Sequence, residues 1–200
     1  SLELGGNAPF IVLDDADLES AAENLIANKF RGGGQTCVCA NRIFVQSKVY
    51  DKFSKMVVDK VKALKVGDGM DEDIDVGPLI NKAGFEKVQN HVADALSKGA
   101  KLVAGKHPDE LDAEKNLFYT PTVVTGVTHD MDVMREESFG PVVGIMKVSS
   151  DEEALELMND SQYGLTASLW TEDADRAAAL GARIETGTIF MNRADYLDPA

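Results

Sequence analysis

Two cysteines one residue apart, Cys37 and Cys39, follow three glycines and a glutamine in FRGGGQTCVCAN, from Phe30 to Asn41. Glycines remove side chains where backbone must come close to something. A thiol at such a place is a nucleophile, a metal ligand or a buried apolar filler. The N–H groups of a glycine-rich turn can steady a thiolate and whatever anion it forms on attack. A CxC pair without a further Cys or His cluster supplies too few metal ligands. The three histidines, His91, His107 and His129, are scattered with no HExxH spacing, so no metal is expected and all three read as residues on or near the surface. Nucleophile and inert buried thiol both stay open for Cys37.

Two other stretches carry chemistry. SLELGGNAP sets Glu3 between leucines, ahead of paired glycines. A buried glutamate is costly and holds its proton more tightly, which makes it a candidate general base; a frayed chain end is the alternative. EESFGP, from Glu136 to Pro141, puts two carboxylates beside an aromatic ring and a Gly-Pro turn. Such a loop can hold ribose hydroxyls and pack a flat ring, or simply be solvated.

The elements that must position these residues alternate in kind. APFIVLD (Ala8 to Asp14) reads as a buried strand. Asp14, Asp15 and Asp17 crowd a helix start, and that helix buries Leu18, Ala21, Ala22, Leu25, Ile26 and Phe30 before stopping at Gly32. NRIFVQ (Asn41 to Gln46) is a second strand, followed by helical spacing over Val49 to Leu64 and again over Asn81 to Gly99, with Phe85, Val88, Val92 and Leu96 inward. Lys101 to Ala104 is a short strand, Lys106 to Asn116 a polar exposed loop, and FYTPTVVTGV extended chain with Pro121 at an edge or bend. VVGIMKV, LTASLW and TGTIFMN supply further strands, separated by a helix opened by Ser149 with Glu152 as a capping box and by an alanine-rich helix over Asp173 to Ala182. This alternation predicts an α/β fold: a mainly parallel sheet with helices on both faces.

Composition narrows the partners. Hydrophobic residues make up 44% of 200, enough for a real core, while 34 acidic against 20 basic residues leave a net charge of −14. So acidic a surface repels phosphate backbones and anionic lipid, which argues against nucleic acid and membrane as partners. Any anionic small molecule would need a local cationic site. No apolar run approaches a membrane span and no secretory signal is visible, so a cytoplasmic location is expected.

Taken together, ELGGNAP, then GQTC with Cys37 34 positions after Glu3, then EESFGP, closely resemble the aldehyde dehydrogenase superfamily, and the likeness continues through YGLTASLWTED and TGTIFMN. The resemblance implies a single catalytic domain over residues 1–200 with Cys37 as nucleophile and Glu3 as general base. It also implies that Glu137, Phe139 and Gly5 face an NAD or NADP cofactor. The substrate would be a small-molecule aldehyde, oxidised through a thiohemiacetal and a thioester, and homo-oligomers would be expected. The family's dinucleotide-binding domain and final segment have no counterpart here, so this chain alone is expected to be inactive. A non-catalytic binding or oligomerisation module that keeps the fold is the alternative.

KFRGGGQTCVCANR is nearest to the succinate-semialdehyde dehydrogenase branch, in which an arginine six positions before the nucleophile meets the substrate carboxylate; Arg31 stands there. A guanidinium suits a carboxylate, although Arg31 could equally end its helix. Gly32 replaces the asparagine usual in that branch, and Arg193 and Tyr196 in the ending MNRADYLDPA depart from it too. The resemblance further suggests a regulatory disulfide between Cys37 and Cys39; a small residue filling space is the alternative for Cys39.

Overall fold

The computed structural model describes residues 4–194. Seven strands form one sheet: β1 (Ala8–Val12), β2 (Ala40–Gln46), β3 (Lys101–Ala104), β4 (Thr122–Thr125), β5 (Val142–Val148), β6 (Thr166–Trp170) and β7 (Thr188–Met191). Their order is β3-β4-β5-β2-β1-β6-β7. Every pairing is parallel except β3 with β4. The central strands β1 and β2 are buried along their whole length, as strands covered on both faces must be. Pro9 lies within β1 and cannot donate to a neighbour, and the β1–β2 register shifts at Ala8/Pro9.

Among the described residues six α-helices lie between them: α1 (Leu18–Phe30), α2 (Tyr50–Ala63), α3 (Lys82–Ser97), α4 (Asp132–Arg135), α5 (Asp151–Asn159) and α6 (Ala174–Gly181). On one face α1 and α2 press Leu25, Phe30, Phe53 and Val57 onto Phe10, Ile43 and Trp170; on the other, α3 to α6 press Phe85, Val88, Met134, Leu155 and Leu180 onto Phe44 and Leu169. Each such side chain contributes roughly 1.5–3 kcal/mol by leaving water. The expected two-faced α/β architecture is the observed one.

Side chains set the helix boundaries. Asp17 caps α1 by accepting from the amides of Glu19 and Ser20, and Asn81 and Asp173 cap α3 and α6 in the same way. The α5 cap differs from expectation by one residue. Ser150 accepts from the Glu153 amide, while the Glu153 carboxylate accepts from the amide and hydroxyl of Ser149. Either serine has the chemistry, and the backbone chooses. His91 also departs from the sequence reading: it is 6% exposed, facing the core from α3.

β1 leads through α1 to β2 on one side, whereas β6 leads through α6 to β7 on the other. The crevice outside the carboxyl ends of β1 and β6 is therefore the topological switch point, where open α/β sheets usually bind ligands. Here the chain fills it. Arg176 donates to Asp151 (2.5 and 2.7 Å), Asp14 (3.0 Å), Asp15 (3.1 Å) and Gln46 (3.2 Å). Asp15 also accepts from Thr171 Oγ1 and the amides of Glu172 and Asp173. Of the three aspartates expected at the α1 start, only Asp17 caps it; Asp14 and Asp15 serve this lock.

Candidate active site

The chemistry-bearing stretches gather at the opposite rim, where the parallel strands begin. Gly5 and Gly6 precede β1, Cys37 precedes β2, Glu136 to Pro141 precede β5, and Tyr163 to Leu165 precede β6. An open cleft of about 430 Å³ is lined by Leu4, Gly5, Gln35, Thr36, Cys37, Glu137 and Phe139. A second cleft, about 500 Å³, shares Leu4 and Gly5 and continues along Gln162 to Leu165.

Backbone proximity joins the stretches. A Cβ on Gly6 would lie 2.0 Å from the Cys37 carbonyl oxygen, and one on Gly34 would lie 2.3 Å from the Gly140 carbonyl oxygen. The Gly6 amide donates to Glu137 Oε1 at 2.8 Å. Asn7 is held from behind by Arg42, which is 1% exposed and donates to the carbonyls of Asn7, Leu157 and Met158. Burial pushes the Arg42 guanidinium down to about 10.

The glycine turn after α1 runs with φ of 58°, 66° and 75° at Gly32, Gly33 and Gly34, a path that side chains rarely take. Gln35 spans it, donating to the Gly32 carbonyl (3.0 Å) and accepting from the Ile80 amide (2.8 Å). Cys37 comes out half-buried and free. Cys39 is buried and free, its Sγ 2.7 Å from Thr36 Oγ1 and donating to the Asn28 carbonyl at 3.3 Å.

On the far wall Phe139 adopts φ of 52°, unusual for a residue with a side chain, and Lys87 Nζ lies 5.8 Å from its ring centre. Ser138, between Glu137 and Phe139, is fully buried and hydrogen-bonded to His91 Nδ1 at 3.2 Å. Tyr163 donates to Glu136 Oε2 at 3.3 Å. Glu137 Oε1 is occupied by the Gly6 amide, while its Oε2 lies against Gly5, beside an aromatic ring. That set fits the ribose and flat ring of a dinucleotide.

The structure therefore brings Cys37, Glu137, Phe139 and Gly5 to one cleft. Cys39 points away from it, toward α1. Arg31 is exposed at the start of the glycine turn and does not line the cleft. Glu3 and Tyr196 lie outside the described residues. Among the described residues no cluster of three or more metal-ligating side chains occurs, and no helix is long and apolar enough to cross a membrane. Sequence reading missed Asn28, Lys29 and His91, all buried polar groups. The signal was available in part, since Asn28 and Lys29 stand three and four places after inward-facing Leu25.

The aldehyde dehydrogenase family profile matches residues 1–200. The chain belongs to the aldehyde dehydrogenase family. Over 193 residues it is 44% identical to a succinate semialdehyde dehydrogenase of Acinetobacter baylyi, covering 96% of this chain and 39% of that one. It is 43% identical to an NADP(+) succinate-semialdehyde dehydrogenase of Escherichia coli, with 96% and 39% covered. The crystal structure of succinate-semialdehyde dehydrogenase from Burkholderia pseudomallei superposes with a TM-score of 0.93 at 46% identity, covering 99% of this chain and 40% of that one. This aldehyde dehydrogenase chain thus spans about two-fifths of the length of the relatives it matches.

Proposed function

We propose that this chain is the thiol-bearing part of an NAD(P)+-dependent dehydrogenase that oxidises an aldehyde to a carboxylic acid. The observation that carries the reading is the convergence of half-buried Cys37 with Glu137 and Phe139 on one cleft. The Cys37 thiolate attacks the aldehyde carbon, and the oxyanion of the resulting thiohemiacetal is held by the Cys37 backbone N–H. Glu137 and Phe139 would hold the ribose and ring of the nicotinamide dinucleotide, which when bound supplies a hydride acceptor. The thiohemiacetal becomes a thioester on Sγ, and Glu3, by resemblance the general base, activates the water that hydrolyses it.

For the substrate we propose succinate semialdehyde, and similarity to dehydrogenases of that name supports this. Arg31, at the start of the glycine turn but outside the Cys37 cleft lining, is the residue we propose for its far carboxylate, which it would have to reach from beside the cleft. The test compares kcat/KM for succinate semialdehyde with that for butanal, by NAD(P)H absorbance. It is run on a polypeptide of the relatives' full length that carries these residues. A charge-assisted pair should favour the semialdehyde by ~1.5–3 kcal/mol, roughly ten- to two-hundredfold. Equal values would leave a general aldehyde dehydrogenase, and no activity on any aldehyde would sink the reading.

A further inference from the structure

The last turn of α1 carries two polar residues on its buried face. Asn28 is 2% exposed and Lys29 is 0% exposed. Both reach across to the chain that follows Cys37. Asn28 Oδ1 accepts from the Ala40 amide at 2.7 Å, and its Nδ2 donates to the Val38 carbonyl at 3.4 Å. The Asn28 carbonyl accepts from Cys39 Sγ at 3.3 Å. Lys29 Nζ donates to Asn41 Oδ1. Each residue from Val38 to Asn41 is thus held by one of these two neighbours.

The choice of lysine is costly if packing is all it does. An ammonium taken fully out of water carries a desolvation penalty of several kcal/mol, and an apolar side chain of similar length would fill the space without it. Burial pushes Lys29 down to about 8; Glu137 favours its charge and Lys87 opposes it. The Lys29 ammonium meets Asn41, four places after Cys37, on the buried face of α1.

We propose that Asn28 and Lys29 are positioning residues for Cys37. They fix the four residues after it against the end of α1, so that its thiol meets the cleft beside Glu137. The proposal rests on the reading of Cys37 as nucleophile. The ammonium and the amide act through backbone and neighbouring side chains and form no bond to substrate.

The test measures iodoacetamide labelling of Cys37 and Cys39 separately, by peptide mass spectrometry, together with thermal melting. The variants are Asn28→Ala, Lys29→Arg and the double change Lys29→Met with Asn41→Leu. The double change removes both partners of one buried hydrogen bond, so stability should hold. Cys37 labelling is expected to slow at least tenfold in the double variant and in Asn28→Ala, with partial recovery in Lys29→Arg. Labelling within twofold of the parent in the double variant would overturn the proposal. So would a rate loss that merely follows the melting temperature across the set. A parent Cys37 that labels no faster than in the denatured chain would remove the nucleophile reading itself, and this proposal with it.

Discussion

The Gly6 amide donates to Glu137 Oε1 at 2.8 Å across 131 positions of sequence, while its α-carbon lies against the Cys37 carbonyl. Space for a single hydrogen atom is what lets the three stretches meet. Gly6→Ala should therefore cost about 3 kcal/mol, because the obstruction is backbone and cannot rotate away. A fall in melting temperature of about 6–12 °C is expected. A change under about 2 °C would mean that the three stretches separate freely.

Arg176→Met should destabilise without touching the thiol. It leaves Asp14, Asp15 and Asp151 crowded together with no guanidinium, at a cost of roughly 2–4 kcal/mol, discounted for partial exposure. Hydrogen bonding to Arg176, then to Lys48, holds the Asp14 carboxyl below its ordinary value near 3.8. That contribution is fully present above pH 3.8 and is lost as pH falls through the lower folded value. The variant's stability should accordingly fall less steeply below pH 4, read by urea midpoints, while Cys37 labelling at pH 7 stays at the parent rate. Slower labelling would show that the two rims are coupled.

Lys29 predicts an alkaline gain. Its folded value near 8 lies below the ordinary 10.5, so the unfolded chain binds the extra proton between those limits. Stability relative to the Lys29→Met, Asn41→Leu variant should rise from pH 8 to 10.5, by up to about 3 kcal/mol. A flat difference across that window would contradict a buried ammonium.

His91 predicts an acid loss of the same sign. Burial holds it below its ordinary 6.5; Asp132 on α4, Glu136 and Asp94 favour its charge and Lys87 opposes it, and burial prevails. Stability should decline as pH falls from 6.5 through the folded value, and His91→Leu should flatten that limb. Urea midpoints between pH 4 and 7 check this, and an unchanged limb in the variant would count against it.

Element types were legible because punctuation was explicit. Gly32 to Gly34, Asp17, Asn81, Gly99 and Asp173 end or open helices by chemistry that depends on nothing distant. The mainly parallel sheet followed from the alternation of strands and helices, but the direction of β3 did not: it pairs antiparallel with β4 through a contact that no local pattern encodes. The four-residue α4 is too short for a period to register. Polar residues on buried faces were invisible for a related reason, since periodicity was traced with apolar residues alone. Phe85, Val88 and Val92 define the face on which His91 lies, and Leu25 the face of Lys29. The residues of the cleft were legible from their types and order. Their common rim was not, because the switch point lies at the other ends of the strands, around Arg176.

The glycine contacts also impose an order in time. Cys37 leaves the ribosome long before Gly140, against whose carbonyl Gly34 packs. At ~5–20 residues per second, about a hundred residues of synthesis leave the thiol without its facing wall for roughly 5–20 s. A nascent chain of this kind carries an unshielded, oxidisable sulfur for that interval, so oxidants present during translation should damage it more than the same dose given afterwards.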